Sequence, residues 1–171
     1  RSILAENSPY YESGAKLTYV TDNGKWLLSG LLLNGWQHIQ RPEGNNSAAF
    51  GTQITFTPNS KVTLNYSTFI GNDKPDEVKQ MRYFHNLYGI FHLSDQFHIT
   101  AGFDYGMEQN APESDEFNNW YSPVLILKYD LNDTWSVAGR FENYTDENGV
   151  IIATGTENGF KTTGFSLNLD C

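Results

Sequence analysis

The chain has 171 residues, 39% hydrophobic and 15% aromatic, and its 20 acidic against 11 basic side chains give a net charge of -9. That length allows one domain with a sizeable core, the acidic balance argues against a nucleic-acid partner, and the single cysteine, Cys171, excludes an internal disulfide framework or a cysteine-rich zinc site. No apolar run approaches the roughly 18 residues of a spanning helix, and the opening Arg1-Ser2-Ile3-Leu4 lacks the charged-then-apolar layout of a signal peptide.

In chain order the segments read as strands, and convincing helical periodicity is absent. Residues 10–21 set Leu17 and Tyr19 against Lys16 and Thr18, and end at the turn "TDNGK", where Asn23-Gly24 predicts a type I′ hairpin. Residues 25–36 alternate less cleanly, since Leu27, Leu31 and Leu33 fall on the polar parity. Residues 47–57 turn Phe50, Ile54 and Phe56 away from Gly51, Gln53 and Thr55, up to the turn "TPNSK". Residues 61–70 set Val62, Leu64, Tyr66 and Ile70 against Thr63, Asn65 and Ser67, with Phe69 the exception.

Residues 82–93 and 96–106 flank the turn "LSDQ". In the second of them Phe97, Ile99, Ala101, Phe103 and Tyr105 alternate with His98, Thr100, Gly102, Asp104 and Gly106, the period-2 mark of a two-faced strand. Residues 119–131 end at "LNDT", with Val124 and Ile126 on the polar parity. Residues 134–143 alternate Trp135, Val137, Gly139 and Phe141 with Ser136, Ala138, Arg140 and Glu142, and 160–169 is the last segment.

The turn centres Asn23, Asn59, Asp95 and Asn132 are spaced 36, 36 and 37 residues apart. Between them lie longer polar connections at 36–47, 70–81, 106–119 and 144–159. Strict alternation of short turn and long loop predicts an all-β fold: an antiparallel up-and-down meander of about nine strands, forming part of a transmembrane β-barrel. Several segments match the roughly 9–11 residues of a tilted transmembrane strand. Aromatics collect at the strand ends: Trp26, Phe56, Phe91, Phe97, Tyr129 and Trp135 near the short turns, and Tyr10, Tyr11, Trp36, Phe69, Tyr83, Tyr105, Trp120, Tyr121 and Tyr144 near the long loops. Two aromatic girdles about an apolar band are the signature of an outer-membrane barrel, in which the apolar parity meets lipid and the polar parity lines a lumen. The girdle and lipid-facing set is then Trp26, Phe56, Phe97, Phe103, Tyr105, Tyr129, Trp135 and Phe141. The rival fold is a soluble up-and-down barrel of lipocalin type, with its apolar face inward around a small apolar ligand.

Four stretches, "GAKLTYVTDNGKWLLSGLLLNGW", "FGTQITFTPNSKVTLNY", "HLSDQFHITAGFDYG" and "LKYDLNDTWSVAGRFENYTDENGV", resemble the OmpL-like outer-membrane β-barrel porins of Gram-negative bacteria. The resemblance spans nearly the whole chain. It implies a porin-like channel in the bacterial outer membrane for passive diffusion of small hydrophilic solutes or ions, and it brings no catalytic residues. Such porins resemble larger barrels, with a signal peptide, more strands and an aromatic C-terminal residue, whereas this sequence ends "SLNLDC". Its next short turn is due near residue 168, and single-chain bacterial barrels usually have an even strand count. Additional strands are therefore expected before residue 1 and after residue 171, around a single incomplete barrel over 1–171.

Candidate chemistry is sparse. No Gly-x-Ser-x-Gly occurs, so no enzyme and no cofactor are expected. Asp146-Glu147-Asn148-Gly149 lacks the ligand spacing and closing Glu of a calcium loop and reads as a solvated loop. His92 and His98 share one parity and should face each other across the turn at Asp95. Two imidazoles there suit a metal, but with no third ligand evident they read as lumen-lining side chains, not as a metal site. The candidate lumen residues are Lys16, His92, His98, Asp104, Lys128, Arg140 and Glu142. Loop carboxylates (Glu43, Asp73, Asp76, Glu77, Glu108, Glu113, Asp115, Glu116, Asp146, Glu147 and Glu157) form an acidic vestibule suited to cations, or to divalent ions bridging lipopolysaccharide. The expected partners are membrane lipid and small solutes or ions, with no nucleic acid. A third possibility is an outer-membrane barrel without a channel, adhesive through its loops.

Overall fold

The computed structural model describes residues 2–9 and 11–171. A short helix, α1 (Ile3–Asn7), is followed by nine strands: β1 (Gly14–Val20), β2 (Trp26–Leu33), β3 (Ala49–Asn59), β4 (Val62–Asn72), β5 (Met81–His92), β6 (Phe97–Gln109), β7 (Phe117–Asp130), β8 (Ser136–Asp146) and β9 (Phe160–Asp170). They pair in chain order, each antiparallel to the next, as one nine-stranded up-and-down sheet. The expected meander is therefore present, and the sheet is not closed: β1 and β9 are its two edges.

Local chemistry explains the short turns. Asn23 Oδ1 accepts the Lys25 N–H, Asn59 Oδ1 the Lys61 N–H, and Asn132 Oδ1 the N–H groups of Thr134 and Trp135, at 2.8–3.0 Å. Each side chain imitates a backbone turn. At the Asp95 turn the neighbouring Ser94 does this work, its Oγ accepting from Phe97 N–H at 3.0 Å. The first turn departs from the type I′ expectation. Only Gly24 has positive φ, +67°, and Gly24 N–H closes back on Thr21 O at 2.8 Å. The Asn23 side chain thus spares its backbone the left-handed conformation.

Three further differences stand out. The helix α1 was not signalled by periodicity; it starts on the Ser2 hydroxyl, which accepts from Ala5 N–H at 3.1 Å. The second strand ends at Leu33 rather than residue 36, where Gly35 (φ +127°) and Gln37 (φ +57°) turn the chain. The sixth runs on to Gln109, so Glu108 is a strand residue and not a loop one. The first strand begins only at Gly14, since residues 11–13 are irregular, and Tyr10 lies outside the described residues.

Registers separate two faces. On one lie Trp26, Phe56, Leu64, Phe97, Phe103, Tyr105, Leu125, Tyr129, Phe141 and Phe165; on the other lie Lys16, Gln53, Asn65, Asn86, His98, Asp104, Lys128 and Glu142. The sheet curls around the second face. Trp36, just after β2, touches Phe69 of β4, Phe84 of β5 and Trp120 of β7 at ring-centroid distances of 5.3, 4.9 and 6.0 Å. In a flat sheet β4 and β7 stand roughly 14 Å apart, beyond one indole's reach.

The concave face as candidate functional site

The convex face carries an apolar belt in the open. Leu17, Phe165 and Leu167 are about four-fifths exposed, and Leu28, Leu64, Leu87, Leu125, Leu127 and Phe141 are exposed in the middle of the sheet. Soluble monomers rarely expose contiguous apolar patches of more than a few hundred Å². Aromatics border the belt. Trp26 stacks on Phe56 at 4.2 Å, and Phe97, Tyr129 and Trp135 continue that band along the short-turn end. At the long-loop end the band consists of Phe50, Tyr83, Tyr105, Phe117 and Tyr121. Trp36, Phe69, Trp120 and Tyr144 do not belong to it. They turn inward and are buried together with Leu33, Ala49 and Phe84. Phe69's exception to the alternation was the visible sign of this.

The seven residues expected to line a lumen lie on the concave face, in three neighbourhoods. At the short-turn end, His92 and His98 are paired in register, with His98 beside Lys128 on the next strand. Their Nδ1 atoms are 2.7 Å apart, His98 Nε2 is 2.9 Å from Asp130 Oδ2, and Lys128 Nζ is 2.8 Å from Asp130 Oδ1. Half-way up, Asp104 is buried and accepts from Asn86 Nδ2 at 2.6 Å, while Arg140 Nε lies 3.1 Å from Glu142 Oε1 but is poorly aligned for a hydrogen bond. Glu142 Oε2 accepts the Ile3 N–H at 2.7 Å, which pins α1 onto β7 and β8. From there the N-terminal segment crosses the concave face towards β1. Beneath it a cavity of about 310 Å³ is lined by Glu12, Lys16, Gln53, Ser67 and Asn86 over Phe84. Lys16 Nζ donates to Gln53 Oε1 at 2.9 Å, and burial pushes the Glu12 carboxyl above its usual range against the pull of Lys16.

The long-loop end holds what the alternation could not reveal. Arg82 is buried between two carboxylates, 2.9 Å from Asp73 and 2.6 Å from Glu108, with Lys74 3.2 Å from Glu108. Its guanidinium lies 5.2 and 5.9 Å from the rings of Trp36 and Trp120. Asp73 also accepts the Trp36 N–H at 2.8 Å, fastening the first long loop inward. The last long loop is drawn in as well. Asp146, fully buried, accepts the N–H groups of Val150, Ile151 and Ile152 at 2.8–2.9 Å, and those three side chains pack on the aromatic cluster. Asp73, Glu108 and Asp146 are therefore not solvated vestibule charges but anchors. In the stretch Asp146–Gly149 the first carboxylate is buried and closes the loop, while Glu147 and Asn148 are solvated. Among the described residues no group of three or more His, Cys, Asp or Glu side chains is placed to hold a metal ion.

A family model described as "putative beta-barrel porin-2, OmpL-like" matches residues 1–171. The chain belongs to that porin family. No curated protein and no solved structure matches the chain. Porin families of this kind are generally non-enzymatic, and the nine-stranded up-and-down antiparallel sheet described above agrees with the β-barrel architecture of the family. No helix among the described residues is long and apolar enough to cross a membrane, a criterion that does not bear on strands.

Proposed function

We propose that this porin is a passive diffusion channel of the bacterial outer membrane for small hydrophilic solutes or ions, with lipid around its convex face and the solute path along its concave one. The observation that carries the reading is the separation of the two faces. One wall bears Leu17, Leu64, Leu125, Phe141 and Phe165 outward, and Lys16, Asn86, Asp104, Lys128 and Glu142 inward. A soluble barrel around an apolar ligand needs the opposite placement. In hydrocarbon the backbone must satisfy its own hydrogen bonds, so the edges β1 and β9 require strand partners, which further strands of the barrel supply. The exposed acidic loop residues Glu43, Glu77, Glu113, Asp115, Glu116, Glu147 and Glu157 suit cations at the mouth, including divalent ions that bridge lipopolysaccharide.

The test is planar-bilayer conductance of the purified full-length protein. Stepwise, ohmic current increments are the expected result. A barrel that inserts yet passes no current supports instead a non-channel, adhesive barrel, a reading favoured by the dry packing of Trp36, Phe84, Trp120 and Val150–Ile152 at the long-loop end.

A further inference from the structure

We propose that His92 and His98 form a transition-metal site, taking one divalent copper- or nickel-type ion in cis on their two Nδ1 atoms. The two imidazoles close the β5–β6 hairpin at a directly paired position, ring centroids 4.8 Å apart and planes at 75°. Their Nδ1 atoms already face each other at 2.7 Å. Two nitrogens bound in cis to a square-planar centre at about 2.0 Å sit about 2.8 Å apart, and to a tetrahedral centre about 3.3 Å apart. The observed spacing therefore fits the tetragonal ion, and each ring needs only to turn by about 45° so that its lone pair, directed along the N–N line in the hydrogen-bonded pair, points at the metal.

The second observation is outside the pair. His98 Nε2 meets the Asp130 carboxylate at 2.9 Å, and Asp130 is itself held by Lys128 at 2.8 Å. A carboxylate can only accept, so the His98 hydrogen is on Nε2 and its Nδ1 lone pair is bare. A carboxylate behind a ligating imidazole is the arrangement that orients metal-bound histidines and raises their basicity. In the metal-free pair His92 donates its Nδ1–H to His98. Metal entry breaks that hydrogen bond, and the His92 hydrogen moves through water to Nε2, so both rings remain neutral and each gives one lone pair. Water completes the coordination, because His92 is exposed. Asp130 acts through His98 and is a positioning residue.

The experiment is a Cu²⁺ titration of the detergent-solubilised chain carrying Cys171→Ser, read by electron paramagnetic resonance and calorimetry. One equivalent should bind with a two-nitrogen signature, Ni²⁺ and Zn²⁺ should bind more weakly, and Mg²⁺ and Ca²⁺ should be silent. His92→Ala, at an exposed strand end, should reduce the signature to at most one nitrogen. Asp130→Asn should keep both nitrogens while weakening binding by about 10–100-fold. Two-nitrogen binding that survives His92→Ala, or that is lost with His38→Ala or His85→Ala instead, overturns the site. An affinity unchanged in Asp130→Asn overturns the positioning role.

Discussion

Arg82 shows at the scale of one residue why a polar parity is not always a wet wall. Its guanidinium is closed in by Trp36 and Trp120 and neutralised by Asp73 and Glu108, whose side chains are as buried as its own. Removing one member of such a group leaves uncompensated charge behind, which costs about 3–5 kcal/mol. Arg82→Ala is accordingly expected to lower the unfolding midpoint in detergent and to release the Trp36 indole, seen as a red-shifted tryptophan emission. Arg82→Lys keeps the charge but not the fork that reaches both carboxylates, and should fall between. Asp76 makes a separate, exposed tie. Its carboxylate accepts from Asn46 Nδ2 at 3.0 Å, Asn46 N–H at 3.2 Å and Ser47 Oγ at 3.4 Å, which holds it below the usual carboxylate range. A depressed folded-state value stabilises the tie above the unfolded value, near pH 4, and the gain disappears as pH falls through the folded value. The Asn46 amide should therefore exchange hydrogen faster once its intrinsic rate is corrected below about pH 4, and Asp76→Asn should remove that extra pH dependence.

Among elements, the strands were legible and the loops were not. Period-2 alternation with turn centres 36 or 37 residues apart locates all nine strands, because a side-chain period of two follows from the pleat itself. The girdle residues Phe103, Tyr105 and Phe141 and the concave residues Lys16, Asp104 and Glu142 fall on the faces their parity assigns them. What parity cannot report is a loop that folds back. Trp36 and Val150-Ile151-Ile152 sit in polar connections, yet they pack inside, against Phe69, Phe84, Trp120 and Tyr144. A signal was present: three consecutive aliphatic residues in a long loop, after an Asp able to accept several backbone N–H groups. The helix α1 was hidden for another reason, since five residues are too few for a 3.6-residue period to show. The role of Asp146 yields a prediction at this scale. In Asp146→Asn an NH₂ replaces one of the two oxygens, of which Oδ1 faces the Val150 N–H and Oδ2 those of Ile151 and Ile152. Stranding even one such donor costs about 1–3 kcal/mol. The β8–β9 loop should become sensitive to protease in the mutant while the strand content by circular dichroism is unchanged. Equal protease resistance of mutant and parent would show that the aliphatic packing alone holds the loop.

For the whole molecule the decisive property is which solvent each face meets, and neighbouring residues can be made to report it with opposite signs. Ala101 and Val137 lie on the convex parity, Thr100 and Ser136 on the concave one. In the full-length protein with Cys171 replaced, single Ala101→Cys and Val137→Cys variants in native membranes should react poorly with a charged, water-soluble maleimide and well with a lipid-dissolved one. Thr100→Cys and Ser136→Cys should show the reverse. The neighbouring pairs control for depth, since residues 100 and 101 differ by one step of about 3.3 Å along the strand. Energetics give an independent reading. Ala101→Arg, beside Gly89 and Leu125 in the middle of the sheet, is expected to cost about 2–4 kcal/mol if that face meets lipid, whereas a lumen substitution acts mainly on selectivity. Stability alone does not discriminate, because an arginine in the dry interior of a soluble barrel is also destabilising, but the labelling does. A soluble barrel hides residues 101 and 137 from both reagents, and an extramembranous sheet exposes both parities to the aqueous one. The observed curl adds a gradient to the concave series. Positions beside Trp36 and Trp120 are already packed, so cysteines replacing Ser67 or Asn86, which line the cavity under the N-terminal segment, should label more slowly than one replacing Thr100. Truncation of residues 1–12 should abolish that difference if the segment is what shields them.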